Sequence, residues 1–420
     1  MTELYLLHRV GRKDSRKLAA YRRDGGYDTA RKVLAAGDPD AVIEEVKAAG
    51  LRGRGGAGFP TGVKWGFMPK EPDPKRPSFL AVNADESEPG TCKDRVLMEE
   101  DPHLLLEGIL ISSFAIRASR AYIFIRGEYT LSTRVLQAAA AEAREAGLLG
   151  KDICGTGYDL EVVIHRGAGA YICGEETALM ESLEGRRGHP RPKPPFPAGF
   201  GIWGNPTTVN NVETLCNVPA ILARGAKWYR TLGTEKSPGH ALFSVSGHVE
   251  KPQVIERPLG ITVGALIEEC GGIWQGRRLK AFVPGGSSTG FLPADFIDLP
   301  LEHEAVAEAG AMLGCGSLIV MDETTDMVRA TTLLVEFYAD ESCGQCSQCR
   351  EGTGWMMKIL HRIQAGRGRP EDLELLESLC EGAVGKTICP FTDATAFPVR
   401  SALKYFREEF EAAIAAGREA

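Results

Sequence analysis

The chain has 420 residues, 43% apolar and 25% charged, the make-up of an ordinary soluble globular protein with room for two or three domains. Lys and Arg total 49 against 56 Asp and Glu, and the net charge of −7 argues against nucleic acid as the main partner. The 11 cysteines make an odd number without disulfide-scaffold spacing, so a reducing cytoplasm is their natural setting. The N-terminus shows no basic segment followed by an apolar run, hence no export signal. The most apolar stretch, Leu104 to Ile116, is interrupted by Glu107 and is too short to span a bilayer.

Residues 1–238 read as an α/β domain. Ala41 to Gly50 has helical periodicity, with Gly50 as its stop. The following loop, Gly50-Leu-Arg-Gly-Arg-Gly-Gly-Ala-Gly-Phe-Pro-Thr-Gly-Val-Lys-Trp65, contains G-x-G-x-x-G at Gly53, Gly55 and Gly58. A dinucleotide fingerprint follows a strand and meets an acid about twenty positions on. Here a helix precedes and no acid appears before Asp85, so the ordinary fingerprint does not fit. Such a density of glycine still exposes backbone N–H groups and lets a phosphate or flat ring come close. Arg52, Arg54 and Lys64 add positive charge; a flexible surface loop with solvated arginines is the plainer alternative.

Ser78–Val82, Ala121–Ile125 and Leu160–Ile164 are short β-branched or aromatic runs that predict buried strands. Helical segments over 102–118 and 134–146 separate them, which predicts a mostly parallel sheet covered on both faces. Asn83-Ala-Asp-Glu-Ser-Glu-Pro-Gly90 directly follows the first strand, at a carboxyl strand end where open α/β sheets bind ligands. His165 to Thr177 repeats the arrangement, ending in a helix start with Glu175 and Glu176. Acids in a first helical turn are also ordinary dipole partners. Three such loops in one domain point to a phosphate-bearing aromatic cofactor.

Residues 239–325 read as a small α+β domain: a strand from Ala241, a helix from Val263 to Cys270, then strands Lys280–Val283 and Gly316–Met321. Residues 326–420 read as a helical bundle of four stretches, Ala330–Asp340, Gly352–Gln364, Pro370–Cys380 and Val399–Ala416. Between the first two, Cys343, Cys346 and Cys349 form a C-x-x-C-x-x-C run, the spacing that wraps three thiolates around a cubane iron–sulfur cluster. Zinc sites pair their cysteines instead, and a third in the same run does not suit a tetrahedral ion. For the fourth ligand Cys380 and Cys389 compete. Cys380 shares an apolar helical face with Leu373 and Leu376, the setting of a small core residue. Cys389 sits in a chain break before Pro390 and is the chosen ligand.

The glycine loop, the Asn83–Gly90 and Gly167–Leu179 segments, Pro206-Thr-Thr-Val-Asn-Asn-Val-Glu-Thr214 and the cysteine run occur here in order. Together they resemble the NADH- and FMN-binding subunit of respiratory complex I (the NuoF type), over nearly the whole chain. The resemblance implies a Rossmann-like FMN and NADH domain, a ubiquitin-like β-grasp domain and a C-terminal four-helix domain carrying one [4Fe–4S] cluster on Cys343, Cys346, Cys349 and Cys389. It implies FMN contacts from Gly53, Arg54, Gly55, Lys64, Asn83, Asp85 and Ser87, and from Tyr171, Gly174, Glu175, Asn210, Asn211 and Thr214. NADH would meet Phe59, Phe67, Lys193 and Phe196, with Glu86 and Glu176 near the nicotinamide. Read from the residues alone, the three phenylalanines belong in a core; the resemblance implies instead that they would sandwich the adenine by stacking.

Hydride transfer from NADH to a flavin asks for parallel rings and dry surroundings rather than acid–base groups, so no catalytic nucleophile or base is nominated. The resemblance further implies an electron-input role in NADH:quinone oxidation, beside a thioredoxin-like [2Fe–2S] subunit and a larger iron–sulfur subunit. The protein would then sit in the cytoplasm, on the inner face of the membrane, held there only by other subunits. A soluble diaphorase is the related alternative.

Overall fold

The computed structural model describes residues 3–419. Four strands, β1 (Ser78–Ala84), β2 (Ala118–Ile125), β3 (Glu161–Arg166) and β4 (Thr207–Asn211), form a parallel sheet in the order β3-β2-β1-β4. Side chains alternate across it, as the two-residue period of a strand requires. Leu80, Val82 and Ala84 face a core with Leu105, Ile109 and Leu215, while Phe79 and Ala81 face a second one with Tyr122, Phe124 and Leu179. Helix Pro102–Ala115 is buried along its whole length, so the apolar run holding Leu104–Ile116 is a central packing element. Its one acid, Glu107, accepts bonds from Tyr21 Oη and from the backbone N–H groups of Tyr27 and Ala30, tying down the N-terminal helices.

The three predicted strands are present. The fourth, β4, lies in the Pro206–Thr214 segment, where Thr207-Thr-Val is too short for a period and two asparagines follow. Because β1 pairs with β2 on one side and β4 on the other, the winding direction reverses between β1 and β4. Ligands settle outside carboxyl strand ends at such a switch point.

A second, mixed sheet follows: β5 (His240–Gly247), β6 (Gln253–Pro258), β7 (Leu279–Val283), β8 (Leu292–Pro293) and β9 (Ser317–Asp322), in the order β6-β5-β9-β7-β8. Only β5 and β9 run parallel, and helix Val263–Glu269 packs against the sheet. Among the described residues the C-terminal part has five helices, Met327–Glu341, Ser347–Gln364, Glu371–Ala383, Phe391–Tyr405 and Arg407–Glu419. The predicted single helix 399–416 is therefore two, broken at Phe406 (φ −132°, ψ 25°). Pro398 misleads the reading of its start: the helix carries this proline inside, nearly two turns from Phe391. Among the described residues no helix is long and apolar enough to cross a membrane.

Candidate functional site

At the switch point Val82 lies in register with Asn210 and Asn83 with Asn211, so three asparagines stand at adjacent strand ends, Asn83 and Asn211 on one face and Asn210 on the other. Each is aimed by the scaffold. Asn83 Nδ2 donates to Gly174 O at 2.8 Å, and Trp65 Nε1 donates to Asn210 Oδ1 at 2.9 Å. Asn211 Nδ2 donates to Asp94 Oδ2, while its Oδ1 accepts from Thr214 N and caps helix Val212–Arg224. Asp85 follows β1 directly. Ser87 Oγ donates to its Oδ1 at 3.2 Å, and its Oδ2 is buried with no hydrogen-bond partner among the described residues. Burial pushes this carboxyl up to about 7. Asp85 Oδ2 lies 3.8 Å from where a Cβ on Gly174 would stand, and a Cβ on Gly55 would come within 3.0 Å of Asn211. An orphaned carboxylate oxygen between side-chain-free glycines fits a flat, hydroxyl-bearing ligand such as a flavin nucleotide.

Around this crevice the other expected residues divide. The glycine loop closes on itself, with Gly53 N donating to Phe59 O at 2.9 Å and Arg54 N to Thr214 Oγ1 at 2.8 Å. The guanidinium of Arg54, expected to offer charge to a phosphate, turns inward instead. It is buried and donates to His240 O, Pro238 O and Tyr229 Oη, with Glu213 3.8 Å away. Glu175 is the N-cap of helix Glu176–Leu183, accepting from Thr177 N and Ala178 N. Lys64 and Lys193 both reach Glu176, the first at 3.2 Å. Burial raises the Glu176 carboxyl, but the two ammonium groups outweigh it and hold it below its usual range. Glu86, expected beside the nicotinamide, is buried and accepts from Asp94 N, Arg95 N and Tyr129 Oη. Burial and the neighbouring Asp94 carboxylate push Glu86 up to about 7. Phe59, Phe67 and Phe196 are 47%, 62% and 62% exposed, so they are not core residues. Phe59 and Phe67 stand 6.3 Å apart at 46° to each other.

Cys343, Cys346, Cys349 and Cys389 lie in one apolar cluster with Tyr338 and Phe391. Gly344 supplies the left-handed backbone (φ +79°) that bends the run, and Ile388 N lies 3.5 Å from Cys346 Sγ, joining the distant Cys389 segment to it. Cys380 is fully buried elsewhere, between Leu376 and Ala396. Among the described residues no group of three or more His, Cys, Asp or Glu is placed to hold a single metal ion. Arg187 and His189 reach the Cys343 carbonyl and Arg350 the Gly344 carbonyl, framing the loop. Four sulfur donors in an apolar setting, with the Cys389 thiol pushed up to about 12 by burial, fit a polycationic cluster that deprotonates its ligands.

Tyr171 links the two halves. Its N–H donates to Glu341 Oε2 at 3.0 Å and its Oη to Glu88 Oε2 at 2.6 Å. Its ring packs edge-on against Phe337, Tyr338 and Phe391, at 5.3, 6.0 and 5.8 Å. Sequence reasoning missed Glu88, which also accepts from Ser287 Oγ and Ser288 N of the middle domain. It missed the buried Lys93–Asp94–Glu213 group as well, where Lys93 Nζ sits 3.0 Å from Asp94 and 2.7 Å from Glu213. Glu88 and Glu213 do lie in segments the sequence singles out, but their roles are not legible there, because their partners lie far along the chain.

Three family profiles match: one described as "Nuo51 FMN-binding domain" over residues 46–220, an SLBB domain over 242–292, and the "NADH-ubiquinone oxidoreductase-F iron-sulfur binding region" over 329–413. The chain is 50% identical over 415 residues to an F-type subunit (number 2) of the NADH-quinone oxidoreductase of Rhizobium meliloti (strain 1021), covering 99% of this chain and 98% of that one. It is 53% identical over 399 residues to the F-type subunit of the NADH-quinone oxidoreductase of Escherichia coli (strain K12), covering 94% and 89%. A solved structure of an NAD+-reducing [NiFe]-hydrogenase in the air-oxidized state is similar with a TM-score of 0.83 and 40% identity; it covers 92% of this chain, which spans only 65% of that one. On this full-length similarity, the chain belongs to the family of F-type (NuoF) subunits of NADH-quinone oxidoreductase.

Proposed function

We propose that this protein oxidises NADH at FMN and passes the electrons one at a time to a [4Fe–4S] cluster, as the electron-input subunit of an NADH:quinone oxidoreductase. The observation that carries the reading is the short segment Tyr171–Gly174: Gly174 is bonded to Asn83 at the strand ends, and Tyr171 packs in the apolar cluster that holds the four cysteines. FMN when bound supplies the two-electron acceptor, and the cluster supplies a one-electron one. The chain's own work is to bind, orient and keep dry. Asn83, Asp85, Ser87, Gly174, Asn210 and Asn211 would hold the flavin nucleotide, with Gly53, Gly55, Tyr171, Glu175 and Thr214 shaping its surroundings and Lys64 supplying charge. Phe59, Phe67 and Phe196 would stack on the adenine, and Lys193 would meet the diphosphate. Cys343, Cys346, Cys349 and Cys389 would ligate the cluster.

We read 1–238, 239–325 and 326–420 as the three domains. The chain would dock to a thioredoxin-like [2Fe–2S] subunit and a larger iron–sulfur subunit, and meet a membrane only through such partners. Protein purified without oxygen tests the central reading: flavin bands with a broad iron–sulfur shoulder, both bleached by NADH, are expected. Colourless protein containing zinc, or chromophores that NADH leaves unchanged, refutes it.

A further inference from the structure

The middle domain presses on the glycine loop at two points. Gly58 adopts φ +63°, and a Cβ there would lie 2.4 Å from His303 Cε1 and 2.7 Å from its Nδ1. The imidazole thus occupies the space a side chain at 58 would need, and the loop backbone rests on the ring. Arg52 holds the same residue by its carbonyl: Nε donates to Gly58 O at 2.9 Å, and Nη1 donates to Glu304. The second Glu304 oxygen accepts from Ser237 Oγ at 3.0 Å, so the carboxylate is itself fixed. Beneath the loop a small cavity is lined by Gly53, Arg54, Glu213, His303 and Cys315. Burial first, then Arg52 and Arg54, brings His303 down to about 4, so at neutral pH an uncharged ring sits beside two guanidinium groups.

Gly58 is followed at once by Phe59, whose ring is half exposed and among the described residues has only Phe67 within aromatic contact. The backbone sets where Cβ points and which rotamers are open to such a ring. That backbone is held by Gly53 and, through Gly58, by Arg52 and His303.

We propose that His303 and Glu304 are positioning residues for the dinucleotide: acting through Gly58 and Arg52, they fix the stance of the Phe59 ring and so the affinity for the flat adenine end of NADH. The inference rests on the NADH-oxidising reading above. Neither residue touches the reacting atoms, so their loss weakens binding and spares the chemistry. An aromatic stack is worth about two- to tenfold in affinity, and that sets the expected size.

The test uses the full chain carrying its cofactors. ADP-ribose, which has the adenine and diphosphate but no nicotinamide, serves as a binding probe free of turnover. His303→Ala and the shape-preserving Glu304→Gln should each raise the ADP-ribose dissociation constant and KM for NADH by about three- to tenfold. Flavin content and kcat with ferricyanide should stay within about twofold, the split expected when ground-state binding alone is lost. In a Phe59→Ala background His303→Ala should add nothing further, the coupling of residues that act through one group. Unchanged ADP-ribose affinity in both variants overturns the inference, as does full additivity with Phe59→Ala or a parallel loss of flavin. If the unaltered protein does not oxidise NADH, the functional reading fails and takes this inference with it. If it does and only the variants disappoint, the inference alone falls.

Discussion

Asp85 shows how a single carboxyl reports on the crevice. Its folded form holds a proton up to about pH 7, whereas in the unfolded chain an aspartate releases it near 4. Between those values the folded state binds more protons, so this residue's contribution to stability falls as pH rises from about 4 to 7 and stays low above. For protein stripped of FMN, Asp85→Asn is expected to narrow the difference in melting temperature between pH 5 and pH 8. An unchanged difference in thermal melts would show that Asp85 is ionised throughout. Glu176 is the opposite case, a carboxylate kept charged by Lys64 and Lys193. A carboxylate near the nicotinamide would favour its positively charged, oxidised form, so we expect Glu176→Gln to weaken the selectivity between NADH and NAD and to change inhibition by NAD. Steady-state inhibition that stays the same counts against a nicotinamide-side role.

At the scale of elements, Cys389 and Cys380 fall in different packing environments of the helical part. Cys389 lies at the start of helix Phe391–Tyr405 in the cluster with Cys349 and Phe391, and Cys380 lies in the helical core. Cys389→Ser is therefore expected to lose iron and the broad visible shoulder. Cys380→Ser should keep its iron and lose stability by about 1–3 kcal/mol, because a buried hydroxyl replaces an apolar sulfur. Iron analysis and melting curves of the two variants decide between them. The break at Phe406 follows from packing in the same way. Periodicity identified helical character over 399–416, but a turn between two packed helices is settled by Phe410 and Ile414 reaching the core beside Leu360 and Ile363.

On the scale of the whole molecule, Glu88 ties all three parts together: Tyr171 from the α/β part, Ser287 and Ser288 from the middle part, and through Ser287 Oγ the Tyr338 hydroxyl of the helical part. Hydrogen bonds to a charged group are worth about 1.5–3 kcal/mol each, and removing three with partial relaxation should cost about 3 kcal/mol. Glu88→Ala is expected to lower thermal stability by that order. It should also slow reduction of the cluster by NADH while flavin reduction keeps its rate, as followed by freeze-quench EPR. Equal slowing of both would place Glu88 in dinucleotide binding instead.

Local pattern by itself determined the α/β, α+β and helical succession and the three glycine-bearing loops, and it set Cys389 and Cys380 in different surroundings, the first in a loop before Pro390 and the second on an apolar helical face. Strand period, glycine density and thiol spacing are short-range signals written in consecutive residues. The tertiary structure decided what depends on partners far away in sequence. It turned Arg54 inward against His240 and Tyr229, enclosed Glu86 under Asp94 and Arg95, exposed the three phenylalanines and set His303 beneath Gly58. A charge or a ring has no fixed direction until a neighbour buries or releases it, and those neighbours come from other strands, helices and domains.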